Sequence, residues 1–323
     1  MNYKPLIKIS ALLITLILLA LLITQINLLD VITTLRNINP VFLIAGFFLY
    51  TCSYYLRAWR FHILLNKEVS IKDLFTITCV HNMMNNLLPA RTGELTYIYL
   101  LKTRQNKTTG EGLATLIIAR IFDLIVISMF FLVLFSFIYH FVSGVTALAI
   151  MGTFFLFAIV FLLFGVLFYG NAFLKILKNL TPCLNSKKFP LGDFILKKSE
   201  ETIKCFEKFK NGKINMHISI ITLSLGIWAL SYSLFYLIAL SMNIQSGVVQ
   251  ILFASSFAVF STVLPIQGIG GFGTMEGGWA LGFILMGITK EVSISTGFGF
   301  HLIILLYTLC LGIPGYVKMY STG

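Results

Sequence analysis

Two stretches of this chain interrupt apolar segments of membrane length in the same way. They read NNLLPARTGE at Asn85–Glu94 and VLPIQGIGGFGTME at Val263–Glu276. Each has Leu-Pro after an apolar segment, then glycine, then glutamate, then a second short apolar segment. Proline and glycine interrupt helices, and an interrupted helix at membrane depth persists only where it is buried in protein or lines a polar cavity. A matching break in each half of a chain is typical of a transporter's substrate site, so the pattern predicts membrane transport.

The composition agrees with a protein that lies largely in lipid. Hydrophobic residues make up 58% of the 323 residues, charged residues only 11%, and the mean hydropathy is +0.91. The lysines behind the net charge of +12 flank apolar runs, which indicates topogenic signals and attraction to anionic headgroups, and not nucleic-acid binding. The five cysteines show no C-x-x-C spacing, so we expect reduced thiols, no metal and no cofactor.

Apolar length predicts the number of membrane spans. A full span needs about 20 apolar residues, and the candidate segments are Leu6–Ile26 (a retained signal anchor), Val41–Ala58, Gly112–Ile138, Val145–Tyr169, Ile214–Leu240 and Val292–Val317. The two interrupted regions, Leu74–Leu101 and Val248–Ile288, are too short to cross twice. We therefore predict an all-α polytopic membrane protein with six full transmembrane helices plus two re-entrant helical hairpins. If each hairpin spans twice, the chain has ten helices, and charge placement leaves that alternative open.

Charge placement predicts the orientation. The basic loop 170–213 holds ten lysines against four acidic residues, and Arg57 and Arg60 also count as charges that follow a span. Because cytoplasmic loops are enriched in Lys and Arg, we expect both termini in the cytoplasm of a cell-membrane protein. The chain then forms one domain, 1–323, of two halves in an inverted repeat. The first half, 1–138, holds hairpin 74–101, and the second half, 214–323, holds hairpin 248–288.

The basic loop also predicts an amphipathic helix between Phe189 and Lys210, with Phe194, Ile195, Ile203, Phe206 and Phe209 on its apolar face. Such a helix lies either in the membrane interface or as a solvated linker.

Charged pairs near the first break are candidates for substrate contact. Arg91 and Glu94 are three residues apart, as are Arg120 and Asp123, and on a helix this spacing places each pair on one face. A charge near the middle of a bilayer costs at least about 2.5–3.5 kcal/mol, so such residues usually face a cavity. The planar fork of Arg91 suits a phosphate, whereas Arg120–Asp123 could equally be a structural ion pair.

Glu276, in the second break, has no basic neighbour in sequence. It is predicted to be protonated, to pair with Arg91 or Arg120 across the bundle, or to face water, and as a switchable charge it is a candidate for proton coupling. The alternative is that it caps a helix starting near Thr274.

The glycines of the second break match G-x-G-x-x-G at Gly268, Gly270 and Gly273, but no strand–helix pattern surrounds them, which excludes dinucleotide binding. Their backbone N–H groups could hold a lipid phosphate. The alternative is packing, because Gly273/Gly277 and Gly278/Gly282 are spaced four apart. The predicted headgroup site is Asn86, Arg91, Glu94, Arg120, Asp123, Gly268, Gly270, Gly271, Gly273 and Glu276, with Pro89, Gly93 and Pro265 as helix breakers.

The ordered set of motifs resembles a known family. YLRAWR at Tyr55–Arg60, the Asn86–Glu94 stretch, RIFD at Arg120–Asp123 and the Pro265–Glu276 block are together similar to the membrane region of lysylphosphatidylglycerol synthases. The resemblance implies a flippase-like fold that moves lipids with charged or glycosylated heads. Two departures are Ala119, where the family often has an acid, and the absence of a proline before the double glycine. Aminoacylation is not expected, since no synthase domain accompanies these motifs.

The leading functional prediction is a flippase or scramblase for a phosphate-bearing lipid, either an anionic phospholipid or a polyprenyl-phosphate-linked sugar. One alternative is a secondary transporter coupled to an ion or small solute. A membrane enzyme acting on lipid phosphates is disfavoured, because the chain has no D-x-x-D, H-x-x-x-H or G-x-S-x-G motif. His81 and His301 are predicted to be hydrogen-bonded structural residues.

Overall fold

The computed structural model describes residues 28–88, 91–138, 157–159, 161, 164–165, 167–184, 191–263 and 269–321. Over these ranges the chain forms helices and no strand. They are α1 (Leu28–Arg36), α2 (Pro40–Leu64), α3 (Ile71–Leu87), α4 (Glu94–Gln105), α5 (Thr109–Ile138), α6 (Gly170–Leu184), α7 (Leu191–Lys210), α8 (Ile214–Ser241), α9 (Val248–Val263), a 3-10 turn (Ile269–Gly271), α10 (Thr274–Leu285) and α11 (Lys290–Ser321). The predicted span Leu6–Ile26, most of Val145–Tyr169, and Pro89, Pro265 and Gly268 lie outside the described residues.

Four helices in the described part of the chain are long and apolar enough to cross a membrane: α2, α5, α8 and, over Lys290–Met319, α11. They coincide with four of the predicted spans, so the described part of the chain is all-helical and has the helices expected of a multi-pass membrane protein. The bounds differ most for α2, which continues past Ala58 to Leu64. No proline or glycine follows Ala58 before the helix ends, and the left-handed residues Asn66 and Lys67 come just after that end.

Each interrupted region forms a pair of short helices packed against each other, α3 with α4 and α9 with α10. The four helices have 17, 12, 16 and 12 residues. At 1.5 Å per residue they are roughly 18–26 Å long, shorter than the ~30 Å hydrocarbon core. The turn Ile269–Gly271 of the second break packs against α3. The interruption of one hairpin therefore meets a helix of the other.

The two hairpins open at opposite ends of the bundle. The N–H of Asn39, just before α2, donates to the carbonyl of Ser241 at the end of α8 (3.2 Å), so α2 and α8 are antiparallel. Lys107, just after α4, pairs with Glu68, just after α2. The first hairpin thus opens where α2 ends and α8 begins, and the second opens at the far end, where α8 ends.

The predicted amphipathic helix exists as α7, but its apolar face is covered by protein. Ile203 and Phe206 are buried in a cluster with Ala114 and Ile118 of α5. The helices approach closely at Gly110, where a Cβ would lie 2.4 Å from the Cβ of Glu201. The part of this face that holds Ile203 and Phe206 therefore packs on α5, and whether the helix lies in the membrane interface or as a solvated linker stays a prediction.

The glycine spacings of the second hairpin have different outcomes. A Cβ at Gly282 would lie 2.1 Å from the carbonyl oxygen of Ala254, and one at Gly278 would lie 2.7 Å from that of Phe257. Nothing lies within 4 Å of a Cβ at Gly277. The backbones of α9 and α10 therefore touch along Gly278 and Gly282, and Gly277 takes no part in that contact.

We expect Gly282→Ala to destabilise the protein by about 1–3 kcal/mol, because its methyl group meets backbone that has to move. Gly277→Ala on the same helix is the matched control, and it should be neutral or stabilising by up to ~1 kcal/mol through helix propensity. Thermal unfolding of both variants in one detergent measures the difference. Equal midpoints would contradict the backbone contact at Gly282.

Candidate functional site

A cavity of about 150 Å³ lies where the two hairpins meet the long helices. Its walls come from α2, α3, α5, α8, α9, α10 and α11. Three arginines line it, Arg57, Arg91 and Arg120, together with the amides Asn82, Asn85 and Asn86. A polar cavity of this kind is the setting in which broken helices are tolerated at membrane depth.

Among the acidic residues of the first half whose burial the structure describes, Asp123 is the most enclosed. Arg60, only 1% exposed, donates to both carboxylate oxygens at 2.7 and 3.1 Å and also to Ser224 Oγ at 2.8 Å. Trp228 Nε1 donates to the same carboxylate at 3.0 Å. The predicted partner Arg120 lies farther away, 3.9 Å from Asp123 Oδ2. Asp123 therefore joins α2, α5 and α8.

Glu94 is the second shared acid. Arg120 Nη2 donates to its Oε1 at 2.8 Å, whereas Arg91 Nε lies 3.6 Å from the same atom. Helical spacing does not govern the Arg91–Glu94 pair, because α4 begins at Glu94 and Arg91 sits before it with a left-handed backbone (φ 55°). The two predicted pairs, Arg91–Glu94 and Arg120–Asp123, are present as longer contacts. The short hydrogen bonds instead join Arg60 of α2 to Asp123 of α5, and Arg120 of α5 to Glu94 of α4.

The cluster carries excess positive charge. Among the described residues, four arginines (57, 60, 91 and 120) contact two carboxylates (94 and 123), which leaves 4 − 2 = +2. Arg57 has the loosest attachment: its Nη1 is 3.9 Å from Asp123 Oδ2, and its guanidinium lies 5.6 Å from the centre of the Trp228 ring. It makes no hydrogen bond to any described residue. Its donor fork therefore remains available for a bidentate anion.

Arg57 and Arg60 belong to this cluster, although the sequence pattern indicated only topogenic charges. The extension of α2 to Leu64 brings both into the bundle. Two features of the sequence indicate that these arginines enter the bundle. They are three residues apart in a segment, 47–64, without proline or glycine, and Asp123, inside an apolar segment, requires a cationic partner.

Asn86 connects the hairpin to the last helix. Its Nδ2 donates to the Asn82 carbonyl at 3.1 Å and to Thr308 Oγ1 at 3.3 Å, and Thr308 also shares a 2.6 Å hydrogen bond with Tyr50. The neighbouring Asn85 Oδ1 is buried without a hydrogen-bond partner among the described residues. A buried polar atom of this kind indicates a polar occupant of the cavity, either water or a ligand group.

Glu276 lies apart from the arginine cluster. It is fully buried, its Oε2 accepts from the Gly273 N–H at 2.9 Å, and its Oε1 lies 2.7 Å from His301 Nδ1. Glu276 therefore caps the start of α10, as one of the two predictions had it. Its side-chain partner is His301, and not Arg91 or Arg120. As predicted, His301 is a hydrogen-bonded residue: its Nε2 lies 2.9 Å from the Gly270 carbonyl.

The hydrogen-bond partners of this pair suggest where its protons lie. A carbonyl only accepts, so His301 Nε2 carries a proton. The short Nδ1–Oε1 contact then holds one further proton, on either the imidazole or the carboxyl group. In both forms the Glu276–His301 pair is neutral overall, which explains how a carboxyl group is buried without an arginine.

The glycines of the second break adopt backbone conformations that form a tight turn before α10. Gly270, Gly271 and Gly273 all have positive φ (69°, 74° and 85°), a region that side chains disfavour. The Gly273 N–H is occupied by Glu276, so it is not the free phosphate donor that the motif suggested. Gly93 has a packing role in the first break, since a Cβ there would lie 2.2 Å from the backbone nitrogen of Asn85.

The chain matches a known protein family over nearly its whole length. Residues 8–312 match the family described as the lysylphosphatidylglycerol synthase transmembrane region. The chain belongs to this family. It is 28% identical over 229 residues to the UPF0104 membrane protein MJ1078 of Methanocaldococcus jannaschii, covering 70% of this chain and 86% of that protein.

A second relative is the glycosyltransferase AglD of Haloferax volcanii, 30% identical over 124 residues. The match covers 37% of this chain but only 20% of that protein. No solved structure matches the chain. Over the described ranges, no group of three His, Cys, Asp or Glu side chains is placed to hold a metal ion.

We expect Glu276→Gln to leave folding nearly unchanged. The glutamine oxygen still accepts from Gly273, and its amide donates to a neutral imidazole, so both hydrogen bonds persist. His301→Leu, in contrast, leaves Oε1 of the buried Glu276 carboxyl group and the Gly270 carbonyl without their partner, which costs about 1–3 kcal/mol for each group. Unfolding midpoints in detergent test this. A Glu276→Gln variant as unstable as His301→Leu would contradict the neutral pair.

Proposed function

We propose that the protein translocates a phosphate-bearing lipid between the two leaflets of the membrane. The observation that carries the proposal is the cavity between the hairpins, whose Arg57, Arg91 and Arg120 belong to a cluster with an excess charge of +2. Burying excess positive charge is costly unless an anion compensates it. Arginine forks bind phosphate oxygens in pairs, and a lipid phosphate is the anion most available inside a bilayer.

The size of the cavity favours a headgroup over a whole lipid. Its volume of about 150 Å³ is far above the ~10–15 Å³ that one water needs, and below the ~300–1,000 Å³ of sites that enclose a drug-sized ligand. We therefore propose that the headgroup crosses through the cavity while the acyl or prenyl tails stay in lipid. Arg57 and Arg91 bind the phosphate, and Glu94 orients Arg120 beside them.

The hairpins supply the polar path. We propose six full spans with two re-entrant hairpins in an inverted repeat, an arrangement supported by the short helices and their opposite open ends. The basic end, where α2 ends and α8 begins, faces the cytoplasm of the cell membrane by the positive-inside rule. The Glu276–His301 pair, one residue away from Met275 and Phe300 of the cavity wall, supplies the switchable proton of the transport cycle.

Two headgroup classes fit the cavity: an anionic phospholipid and a polyprenyl-phosphate-linked sugar. The likeness to a segment of the glycosyltransferase AglD supports the second. The unpaired amide oxygen of Asn85 suits a sugar hydroxyl, and Trp228 offers a ring face beside the phosphate-binding arginines. We propose transport without covalent chemistry for this chain. A small soluble anion would also fit about 150 Å³, which makes an anion transporter the second candidate.

The test is headgroup accessibility in proteoliposomes that contain the purified protein. Tail-labelled phosphatidylglycerol, or a short polyprenyl-phosphate sugar, starts in both leaflets, and a membrane-impermeant reagent reads the exposed fraction. We expect that fraction to rise from about half towards completion as headgroups cross. Retention at half for both lipids, together with protein-dependent uptake of a soluble phosphate ester, would transfer the proposal to anion transport.

A further inference from the structure

A second, larger groove lies outside the cavity. It has a volume of about 820 Å³ and is formed by the end of α2, the end of α7 and the start of α8. This is the basic end of the bundle, where one helix of membrane-spanning length, α2, ends and another, α8, begins. The groove shares no lining residue with the cavity between the hairpins. It is therefore a separate feature of the molecule.

The upper part of the groove is basic and polar. Lys67, Lys208 and Lys213 line it together with amide side chains, and no acidic residue is among its described lining residues. All three lysines are exposed, and none forms a salt bridge to a described residue. Three ammonium groups around one groove give it a positive potential that favours an anion there.

The lower part of the groove is apolar and faces outward. Trp59 is 43% exposed and Ile218 is 54% exposed, on the facing helices α2 and α8. Ile63 and Leu223 line the same part. An exposed aromatic residue next to apolar side chains at the end of a span is typical of the level where headgroups meet acyl chains. The groove thus has a cationic part above an apolar part. An anionic lipid has the matching arrangement, with a negatively charged headgroup above an apolar chain.

We infer that this groove is a binding site for an anionic membrane lipid, with the phosphate among Lys67, Lys208 and Lys213 and an acyl chain along Trp59 and Ile218. Basic pockets between helices on the cytoplasmic side bind anionic headgroups in this way. The site is an equilibrium binding site and does not depend on the translocation proposed above.

Trp59 allows the site to be tested directly. The protein is placed in phosphatidylcholine nanodiscs containing increasing fractions of phosphatidylglycerol with brominated tails, which quench tryptophan fluorescence on contact. The chain has three tryptophans, and Trp59→Phe identifies the share from the groove. We expect saturable quenching at low fractions of brominated phosphatidylglycerol, absent from Trp59→Phe. Brominated phosphatidylcholine should quench only in proportion to its amount.

The lysines are tested as a set. Lys67→Gln/Lys208→Gln/Lys213→Gln should weaken the apparent affinity for phosphatidylglycerol by about ten-fold or more, since each lysine attracts an anionic lipid separately. The matched control is Lys102→Gln/Lys175→Gln/Lys197→Gln, which removes the same charge from exposed positions outside the groove. It should change the affinity less than about two-fold.

Equal loss in both triple variants would overturn the site in favour of diffuse surface attraction. Equal quenching by the two brominated lipids would overturn it in favour of ordinary lipid contact. Arg104→Gln serves as a second control, because this exposed arginine on α4 lies outside both the groove and the cavity and its loss should leave binding in the groove unchanged.

Discussion

Arg60→Met is expected to destabilise the protein more than any other single substitution in the arginine cluster, by about 3–5 kcal/mol. Arg60 and Asp123 are 1% and 4% exposed, and Arg60 makes both short ionic bonds to that carboxylate. Its removal leaves Asp123 with the neutral indole of Trp228 and two guanidinium groups at 3.9 Å. A buried carboxylate that loses both of its short ionic hydrogen bonds keeps most of its desolvation cost, because the two longer contacts offset it only weakly. Chemical unfolding in detergent measures the change.

The matched control is the double variant Arg60→Met/Asp123→Leu. Replacing both members of a buried ion pair by apolar groups is often neutral or stabilising, so the double variant should recover most of the lost stability. A double variant no more stable than Arg60→Met would show that the loss comes from packing around Arg60 and not from the two short hydrogen bonds that Asp123 loses.

Arg57→Gln is expected to slow headgroup translocation by about 10- to 100-fold while the protein stays folded. Arg57 makes no hydrogen bond to a described residue, so its loss from the folded protein costs only its weak contacts with Asp123 and Trp228. A hydrogen bond to a charged group contributes about 1.5–3 kcal/mol, which corresponds to this loss of rate. The rate of headgroup exposure in proteoliposomes is the measurement.

Two variants sharpen this prediction. Arg57→Lys keeps the charge but not the planar fork, so its rate should lie between those of Arg57→Gln and the native protein. Arg104→Gln, an exposed arginine on α4, removes the same charge outside the cavity and should keep the native rate. A folded Arg57→Gln variant at the native rate would exclude Arg57 from the headgroup path.

The sequence predicted the long helices well, because apolar length alone determines which segments suit a bilayer. Four predicted spans correspond to described helices. The end of α2 was harder, since arginine normally terminates an apolar run and here continues into the bundle as Arg57 and Arg60. Amphipathic spacing predicted the apolar face of α7 but could not show that α5 covers it.

The candidate site was predictable only in part. Local spacing identified Arg91, Glu94, Arg120 and Asp123 as members of one charged region, and all four contact the cluster. The partner choice depended on tertiary structure: Arg60 is 63 residues from Asp123, and His301 is 25 from Glu276. No pattern within one helix specifies contacts at such separations.

We propose that the arginine cavity carries the phosphate of a lipid across the membrane. The most direct test compares two lipids with identical labelled tails in the same proteoliposomes, phosphatidylglycerol and a neutral glycolipid without phosphate. We predict that the protein moves phosphatidylglycerol at least about ten-fold faster, and that Arg57→Gln removes this preference. Equal rates for the two lipids, or a preference unchanged by Arg57→Gln, would rule out transport of the lipid phosphate through this cavity.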